Sequence, residues 1–278
     1  MTTRKIIEDW SDFTSVAADM SQGGPEGPMI FRGQSDESFS LRPSLTRVLK
    51  EKNIAQEQGL YMESKALASF KRVAHLAADF CGGLNHEDVL LWWEIMQHYN
   101  APTRLLDWSK SPYVALYFAV EDLSSENGAF YTFDAGHLNF VKEVRYRSSE
   151  SDWVRNDMLQ LGKSLNNEAY EKTIMVVGCP RPTNRMVAQQ SSFTVCTELL
   201  SDHDVFSNNM VFSGVRGGEG KSIVQKFTIP HELKSVFLQN LEKMNITANT
   251  LFPGIDGLGR SIKELIGILS TRVRKKYE

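Results

Sequence analysis

The sequence predicts a single α+β domain with a helix-rich N-terminal half, and three observations carry this prediction. Over the first hundred residues, apolar side chains recur mainly at three- and four-residue spacing, which is typical of amphipathic helices. After Asn127-Gly128 the apolar residues form short runs rich in β-branched and aromatic side chains, which predict strands. No internal repeat or Gly/Ser-rich linker divides the 278 residues, so one domain is favoured over two.

The first half begins with a predicted helix within residues 1–24, whose apolar positions follow a helical period. A short strand at residues 29–31 follows and leads into a polar turn at residues 32–36. Residues 67–77 belong to a second long helix. Asn85 is a plausible N-cap for a third helix, since its side chain can accept a hydrogen bond from the first turn.

The third helix should end at Asn100, because Pro102 disfavours helical backbone in the residue before it. A strand is predicted over residues 104–108. Ser111 and Pro112 then form a helix start, with serine as N-cap and proline at the first helical position. The following residues 113–120 are apolar nearly all round, so we expect this helix to be buried.

The second half is predicted to supply most of the sheet. The predicted strands cover residues 129–133, 173–177, 193–196 and 223–229. Two amphipathic helices are predicted at residues 233–244 and 262–269. Residues 271–278 form a basic tail.

Composition restricts the class of function. The chain is 41% hydrophobic and 23% charged, enough for a buried core, and this excludes a disordered protein. Its formal charge of −3 predicts no general affinity for nucleic acid or for an anionic membrane. Acidic residues near the start, and no apolar run long enough to cross a bilayer, lead us to expect a cytoplasmic protein.

Two segments, residues 31–47 and 97–118, combine charged, aromatic and turn residues near predicted strand ends. In the first, Arg32 would present a planar guanidinium suited to a phosphate or a carboxylate. The alternative is a salt bridge to Asp36 or Asp107. Gly33 would allow a sharp turn or the close approach of a ligand.

The second segment brings a histidine, a phenol, a cation and a carboxylate close in sequence, at His98, Tyr99, Arg104 and Asp107. Arg104 and Asp107 lie on opposite faces of an ideal strand, so one of them is expected to be structural. We expect Asp107 to be the buried partner of an arginine. A buried polar network of Arg32, His98, Arg104 and Asp107 without a functional role is the alternative.

Further candidates follow from the predicted helix start. Ser111 is used as the N-cap, whereas Ser109 is left free to bind a ligand. Tyr113 and Tyr117 lie four residues apart on one helical face, which would form either a stacking platform or plain core.

The six histidines show no metal-ligand spacing, so no metal site is expected. A nuclease would have to use the Glu63-Ser64-Lys65 triplet.

These motifs resemble the FRG domain, a bacterial and phage family named after its Phe-Arg-Gly motif. The resemblance rests on Phe31-Arg32-Gly33-Gln34, Leu41-Arg42-Pro43-Ser44-Leu45, Gln97 to Trp108, Ser111-Pro112 and Ala115 to Ala119, and on later blocks at residues 188–194, 226–230 and 251–258. It implies an FRG domain over residues 25–270. Asn100 and Ser191 stand where glycine is expected, and Asn accepts turn conformations more readily than Ser.

A second, weaker similarity is to arginine-class ADP-ribosyltransferases. Ser109-Lys110-Ser111 followed by Val114 to Ala119 is similar to their serine motif, and Arg32 matches their strand-end arginine. The similarity implies a mainly antiparallel, split sheet with NAD as substrate. Arg32 would anchor the dinucleotide, Ser109 would orient the nicotinamide ribose, and Tyr99, Tyr113 or Tyr117 would stack on nicotinamide. The full predicted binding set is Arg32, Gly33, Gln34, His98, Tyr99, Arg104, Tyr113 and Tyr117.

The third motif of these enzymes supplies a carboxylate, which stabilises the oxocarbenium-like sugar formed when nicotinamide leaves. The matching stretch here, Gln189 to Phe193, offers amides instead, with Glu198 five residues beyond. We therefore expect Ser109, Gln190 and Glu198 as catalytic candidates, with Arg32, Ser109 and Gln190 in one cleft. Glu63, Glu94 and Asp107 are possible substitutes for the missing acid.

Three functions follow from these observations. The first is an NAD-binding, ADP-ribosyltransferase-like or NAD-cleaving effector, of toxin or phage-defence type, that acts on a macromolecular acceptor. The second is a non-catalytic sensory module that binds a nucleotide or another anion through Arg32, Arg104 and His98. The third is a metal-dependent nuclease.

Overall fold

The computed structural model of the protein describes residues 5–21, 28–77, 88–146, 150–178, 182–212 and 222–277. In these ranges the strands are β1 (Lys5–Ile6), β2 (Met29–Gln34), β3 (Leu106–Ser109), β4 (Gly128–Asp134), β5 (Ile174–Val177), β6 (Ser191–Cys196) and β7 (Val224–Ile229). The helices are α1 (Trp10–Ser21), α2 (Ser44–Glu51), α3 (Gln56–Ala77), α4 (Val89–His98), α5 (Pro112–Val120), α6 (Ala135–Tyr146), α7 (Glu150–Leu165), α8 (Asn184–Ala188), α9 (His203–Phe212), α10 (His231–Lys243), α11 (Ala248–Leu251) and α12 (Ile255–Tyr277).

The seven strands form one open sheet in the order β1-β7-β4-β2-β3-β6-β5. Every neighbouring pair is antiparallel except β1 and β7. The predicted α+β class and mainly antiparallel sheet are therefore confirmed. Within the described residues, no helix is long and apolar enough to cross a bilayer.

Helices cover both faces of the sheet, which explains why its central strands are buried on both sides. On one face, Phe31, Phe130 and Phe227 pack against α1, α5 and α10. On the other face, Ile30 and Phe133 pack near α6 and α9. A third cluster joins α4 to the β5–β6 edge.

The helix start at α5 follows its sequence signals closely. Ser111 Oγ accepts a hydrogen bond from the backbone N–H of Val114, and Pro112 occupies the first helical turn. At the end of α4, Asn100 stands where glycine was expected, and its backbone has the left-handed conformation that glycine favours, with φ +61°. An asparagine tolerates this left-handed conformation better than most other residues.

Several predicted boundaries differ from the structure. β2 continues through Gln34, so Arg32 is inside a strand and not in a turn, because β4 pairs with β2 residue for residue up to Gln34. The N-cap of α4 is Asp88, whose carboxylate accepts from Leu91 N–H, and Asn85 lies outside the described residues. The sequence did not predict strand β1 or helices α2, α6, α7, α8, α9 and α11. Helix α12 runs to Tyr277 and includes most of the predicted basic tail.

Candidate functional site

The candidate site is a cleft of about 370 Å³ at the junction of β2 and β3. These two strands share a single registered pair, Phe31 with Ser109. By contrast, β2 pairs with β4 at six positions and β3 pairs with β6 at four. The sheet is thus split at its centre, and residues of β2, β3, α5 and α8 line the opening. A volume of this size suits a small ligand.

Arg32 projects from β2 into this opening. Its Nη1 donates a hydrogen bond to the backbone carbonyl oxygen of Asp107 at 2.5 Å. Its Nε is buried and has no hydrogen-bond partner in the part of the chain that the structure describes. Burial lowers the pKa of the guanidinium, although Asp107 opposes the shift. An unpaired buried donor is costly, which makes the Nε of Arg32 a candidate group for binding an acceptor from outside the chain.

The predicted salt bridge of Arg32 is not formed. The bond to Asp107 uses the backbone and leaves the Asp107 carboxylate exposed on the cleft side. The carboxylate of Asp36 instead accepts from the backbone N–H of Ser38, which lowers its pKa. The expectation that Asp107 is a buried partner of an arginine was therefore wrong, because its side chain projects from β3 toward solvent.

Three further arginines line the cleft. Arg42 is held by Asp202 through two hydrogen bonds of 2.7 Å, so its charge is already balanced. Arg47 is exposed and makes no ion pair with a described residue. The Arg185 guanidinium lies 4.8 Å from the centre of the Phe252 ring, and burial lowers its pKa. Among the lining residues Asp107 is the single carboxylate, so the cleft favours an anion.

His98 also lines the cleft, at the end of α4. Its pKa lies below the ordinary value, first because of burial and second because of the positive charge of Arg185. The ring is therefore neutral at pH 7 and can both donate and accept a hydrogen bond.

Gly33 forms the wall between the cleft and α5. A Cβ at this position would lie 1.9 Å from the backbone oxygen of Ala115 and 2.5 Å from the backbone N of Ala119. Both atoms belong to the helix backbone and cannot move aside. The glycine of the Phe-Arg-Gly sequence is thus required for the close packing of β2 on α5.

Ser109 is in the cleft, but its hydroxyl is not free. Ser109 Oγ donates to the backbone oxygen of Gln189 at 2.8 Å and accepts from the backbone N–H of Ser111 at 3.0 Å. These bonds hold the loop before β6 against the start of α5. The serine therefore positions the loop that carries Gln189.

Residues 27–128 match the family model described as the FRG domain. The chain contains an FRG domain. The matched region supplies most of the cleft, including Arg32, Gly33, His98, Asp107 and Ser109. Arg185 and Gln189 lie outside the match. No curated protein and no solved structure matches the chain, so these comparisons do not show the similarity to ADP-ribosyltransferases.

Four of the predicted site residues line the cleft of the FRG domain, namely Arg32, Gly33, His98 and Ser109. The others lie elsewhere. In the third motif the amide that lines the cleft is Gln189, which donates from Nε2 to the backbone oxygen of Leu251 at 3.1 Å. Gln190 is exposed, has φ +49° and is not a lining residue, because the turn before β6 directs it away.

Arg104 is a structural residue of the FRG domain. It is 1% exposed and forms a two-pronged ion pair with Glu63 of α3, which is 3% exposed. Its Nη1 also donates to the backbone oxygens of Cys196 and Thr197. Arg104 therefore joins α3 to the end of β6, away from the cleft. The same pairing removes Glu63 as a free acid for a metal or a sugar.

The tyrosines predicted to stack on a ligand do not line the cleft. Tyr117 is fully buried and donates to Glu264, and burial raises its pKa. Tyr113 packs against Trp10 and Phe13 on the opposite side of α5. Tyr99 is exposed beside the His98 ring. The half-buried aromatic that faces the cleft is Phe118, one residue beyond Tyr117.

Gln34 and Glu198 are also outside the cleft. Gln34 is buried and donates to the backbone oxygen of Ser40. The carboxylate of Glu198 accepts from Tyr170 at 2.5 Å and from Lys172 at 2.6 Å, at the far end of β6. This acid is therefore engaged in a separate cluster. The described residues contain no group of three or more His, Cys, Asp or Glu that could hold a metal ion.

Sequence reasoning missed the roles of Arg42, Arg47, Arg185 and Phe118. Arg42 and Arg47 lie within residues 31–47, the segment already selected as a candidate site. Their positive charge could therefore have identified them as cleft residues. Arg185 carried no signal, since it stands in a short helix without a recognised motif.

Proposed function

We propose that the cleft of the FRG domain binds NAD and that the protein cleaves its nicotinamide glycosidic bond. The observation that carries the proposal is the buried, unpartnered Nε of Arg32 at the mouth of a cleft with an excess of cations. A pyrophosphate supplies acceptors that match a guanidinium in shape and charge.

The phosphates would be held by Arg32 together with Arg47 and Arg185. Arg47 and Arg185 form no ion pair with a described carboxylate, whereas Arg42 is already satisfied by Asp202. Charge-assisted hydrogen bonds of this kind contribute about 1.5–3 kcal/mol each. Phe118 offers the ring face against which a base or the nicotinamide would stack.

The arrangement of the motifs supports NAD over a simple anion. Arg32 of β2, Ser109 of β3, and Gln189 and Ser191 at the start of β6 line one cleft, although Gln190, the residue expected there, does not. The Ser109 hydroxyl fixes the Gln189 backbone through a 2.8 Å hydrogen bond. The side-chain oxygen of Gln189 would then accept from a ribose hydroxyl.

Cleavage requires negative charge beside the reacting sugar. When the bond between C1′ and the nicotinamide nitrogen breaks, the electron pair leaves with neutral nicotinamide and C1′ becomes electron-deficient. Asp107 is the carboxylate that lines the cleft, whereas Glu198 and Glu63 are engaged elsewhere. In the proposal Asp107 stabilises the oxocarbenium-like sugar, and water or an acceptor group then attacks C1′ and loses a proton.

The amides of the third motif favour a second candidate function, a nucleotide-binding module without turnover. Gln189 and Ser191 line the cleft at the place where the transferases carry an acid. If Asp107 is too far from the bound sugar, NAD would bind and remain intact.

The test is to incubate the protein with NAD and measure nicotinamide release and thermal stabilisation. We expect release by the wild type, little release by Asp107→Asn with thermal stabilisation retained, and loss of both with Arg32→Met. Arg155→Met, an exposed arginine on α7, is the matched control and should behave as the wild type. Stabilisation without release would support the second candidate, and neither effect would refute both.

A further inference from the structure

The ring of Phe252 lies directly behind the cleft and contacts residues that line it. Phe252 is 3% exposed and is not itself a lining residue. The Arg185 guanidinium lies 4.8 Å from the centre of its ring, and the Phe118 ring meets it edge to face, with the ring centres 6.0 Å apart. The preceding residue, Leu251, accepts a hydrogen bond from Gln189 through its backbone oxygen at 3.1 Å. The segment Leu251-Phe252 therefore touches three residues that line the cleft.

Arg185 depends on this ring for its orientation. It stands in α8, a helix of five residues. Within the ranges that the structure describes, its guanidinium forms no hydrogen bond and no ion pair, so the contact with Phe252 is what holds it. A cation over an aromatic ring is attracted by the negative face of the ring, which offsets the entropy lost when a flexible arginine side chain is ordered. The ring thus fixes the direction of a charge that has no partner of its own.

Helix α12 in turn fixes Phe252. A Cβ at Gly257 would lie 2.0 Å from the backbone oxygen of Phe252, so the start of the helix packs directly on this backbone. The guanidinium of Arg260 lies 4.0 Å from the centre of the Phe252 ring. Its Nη1 is also 3.4 Å from the carboxylate of Glu121, at the end of α5. The ring is therefore held by backbone packing and by a second cation that is itself anchored.

The two cations on the ring differ in their charge partners. Arg260 is paired with Glu121, whereas Arg185 has no carboxylate within ion-pair distance in the described part of the chain. The positive charge of Arg185 lowers the pKa of His98, which also lines the cleft. Arg185 is thus the cation of the two that lies in the cleft and is available to an anion.

We propose that Phe252 is a positioning residue of the cleft, and that its ring holds the Arg185 guanidinium in the orientation that binds a phosphate group of the ligand. This role rests on the proposed function, in which the ligand is a dinucleotide that contains a pyrophosphate. Phe252 lies outside residues 27–128, which match the FRG domain model. The segment before α12 thus becomes part of the site.

A double-mutant cycle tests whether the ring acts through Arg185. Inorganic pyrophosphate is the probe, and titration calorimetry at low salt gives its dissociation constant for the wild type, Phe252→Leu, Arg185→Met and the double variant. We expect Phe252→Leu to weaken binding roughly 3- to 10-fold in the wild type, but less than about twofold when Arg185 is already methionine. Equal binding by the wild type and Phe252→Leu, or two losses that multiply in the double variant, would overturn the inference.

Two further variants separate positioning from stability. Phe252→Tyr keeps the ring and should bind pyrophosphate as the wild type does. Phe237→Leu removes a ring from the same core cluster, 1% exposed and away from the cleft, and should lower the melting temperature without changing the dissociation constant. An equal loss of affinity in Phe237→Leu and Phe252→Leu would assign the effect to stability and refute the positioning role. Phe252→Met, which fills more of the ring volume, replaces Phe252→Leu if that variant does not fold.

NAD in the same titrations distinguishes this role from the proposed function. If the wild type binds pyrophosphate with the expected dependence on Phe252, but neither binds nor cleaves NAD, the proposed function fails and the role of Phe252 stands. NAD binding that Phe252→Leu leaves unchanged would refute the role of Phe252 alone. A wild type that does not bind pyrophosphate would overturn the positioning role whatever NAD does.

Discussion

Replacing Arg104 by methionine distinguishes two roles for this residue. The sequence predicted that Arg104 binds a ligand, whereas the structure places it in a buried ion pair with Glu63. Arg104→Met removes the charge and leaves the Glu63 carboxylate 3% exposed without its ion-pair partner. Breaking a buried ion pair in this way costs about 3–5 kcal/mol. At about 2 °C per kcal/mol for a chain of this size, we expect the melting temperature to fall by roughly 6–10 °C.

The double variant Arg104→Met/Glu63→Leu supplies the matched control. It removes both charges, so no carboxylate is left buried alone, and most of the lost stability should return. The assay is thermal unfolding followed by circular dichroism, alongside NAD binding at a temperature where each variant is folded. A melting temperature unchanged in Arg104→Met, combined with lost NAD binding, would refute the structural assignment.

Three further predictions concern stability. Gly33→Ala forces a Cβ against the backbone of Ala115 and should destabilise by about 3 kcal/mol, the upper end for overpacking; an unchanged melting temperature would contradict it. His203 is buried and its pKa is lowered to about 3, so the unfolded chain takes up the proton first and stability falls as pH drops below about 6.5. By pH 4.5 this amounts to about 2–3 kcal/mol, and the urea midpoint of His203→Asn should depend less on pH than that of the wild type. Tyr117→Phe removes the hydroxyl that donates to Glu264 and should cost about 1–3 kcal/mol in a melting experiment; no loss would show that this contact does not hold α12.

Local signals in the sequence predicted local structure well. The Ser111-Pro112 start of α5 and four strands of the second half follow from capping and β-propensity, which depend on neighbouring residues. The length of β2 could not be found this way, because β4 extends it by pairing up to Gln34. Helices α6 and α7 were also missed, although Asp134 directly precedes α6 and its carboxylate accepts a hydrogen bond from the backbone N–H of His137 at 2.8 Å, as an N-cap does.

The site was predicted in part, and the errors share a physical cause. Arg32, Gly33, His98 and Ser109 line the cleft as their motifs indicated. Arg104 does not, because its partner Glu63 is 41 residues away in another helix, and a single sequence does not display that pairing.

Helix α12 shows a related limit of sequence patterns. Its apolar spacing predicted an amphipathic helix, and in the structure Ile262, Leu265 and Leu269 face outward. Periodicity indicates which residues share a helical face, but not what that face contacts. The side of α12 that packs on the domain carries Ile268 and Gly257 as well as the polar contacts of Glu264 and Arg260.

The most direct test of the proposed site is the dissociation constant of NAD for the wild type and for Arg32→Met, measured by titration calorimetry at low salt. Loss of charge-assisted hydrogen bonds worth about 1.5–3 kcal/mol should weaken binding roughly 10- to 100-fold. Arg155→Met should bind as the wild type does. Equal affinity of the wild type and Arg32→Met, with both proteins folded, would contradict the assignment of the cleft as the nucleotide site.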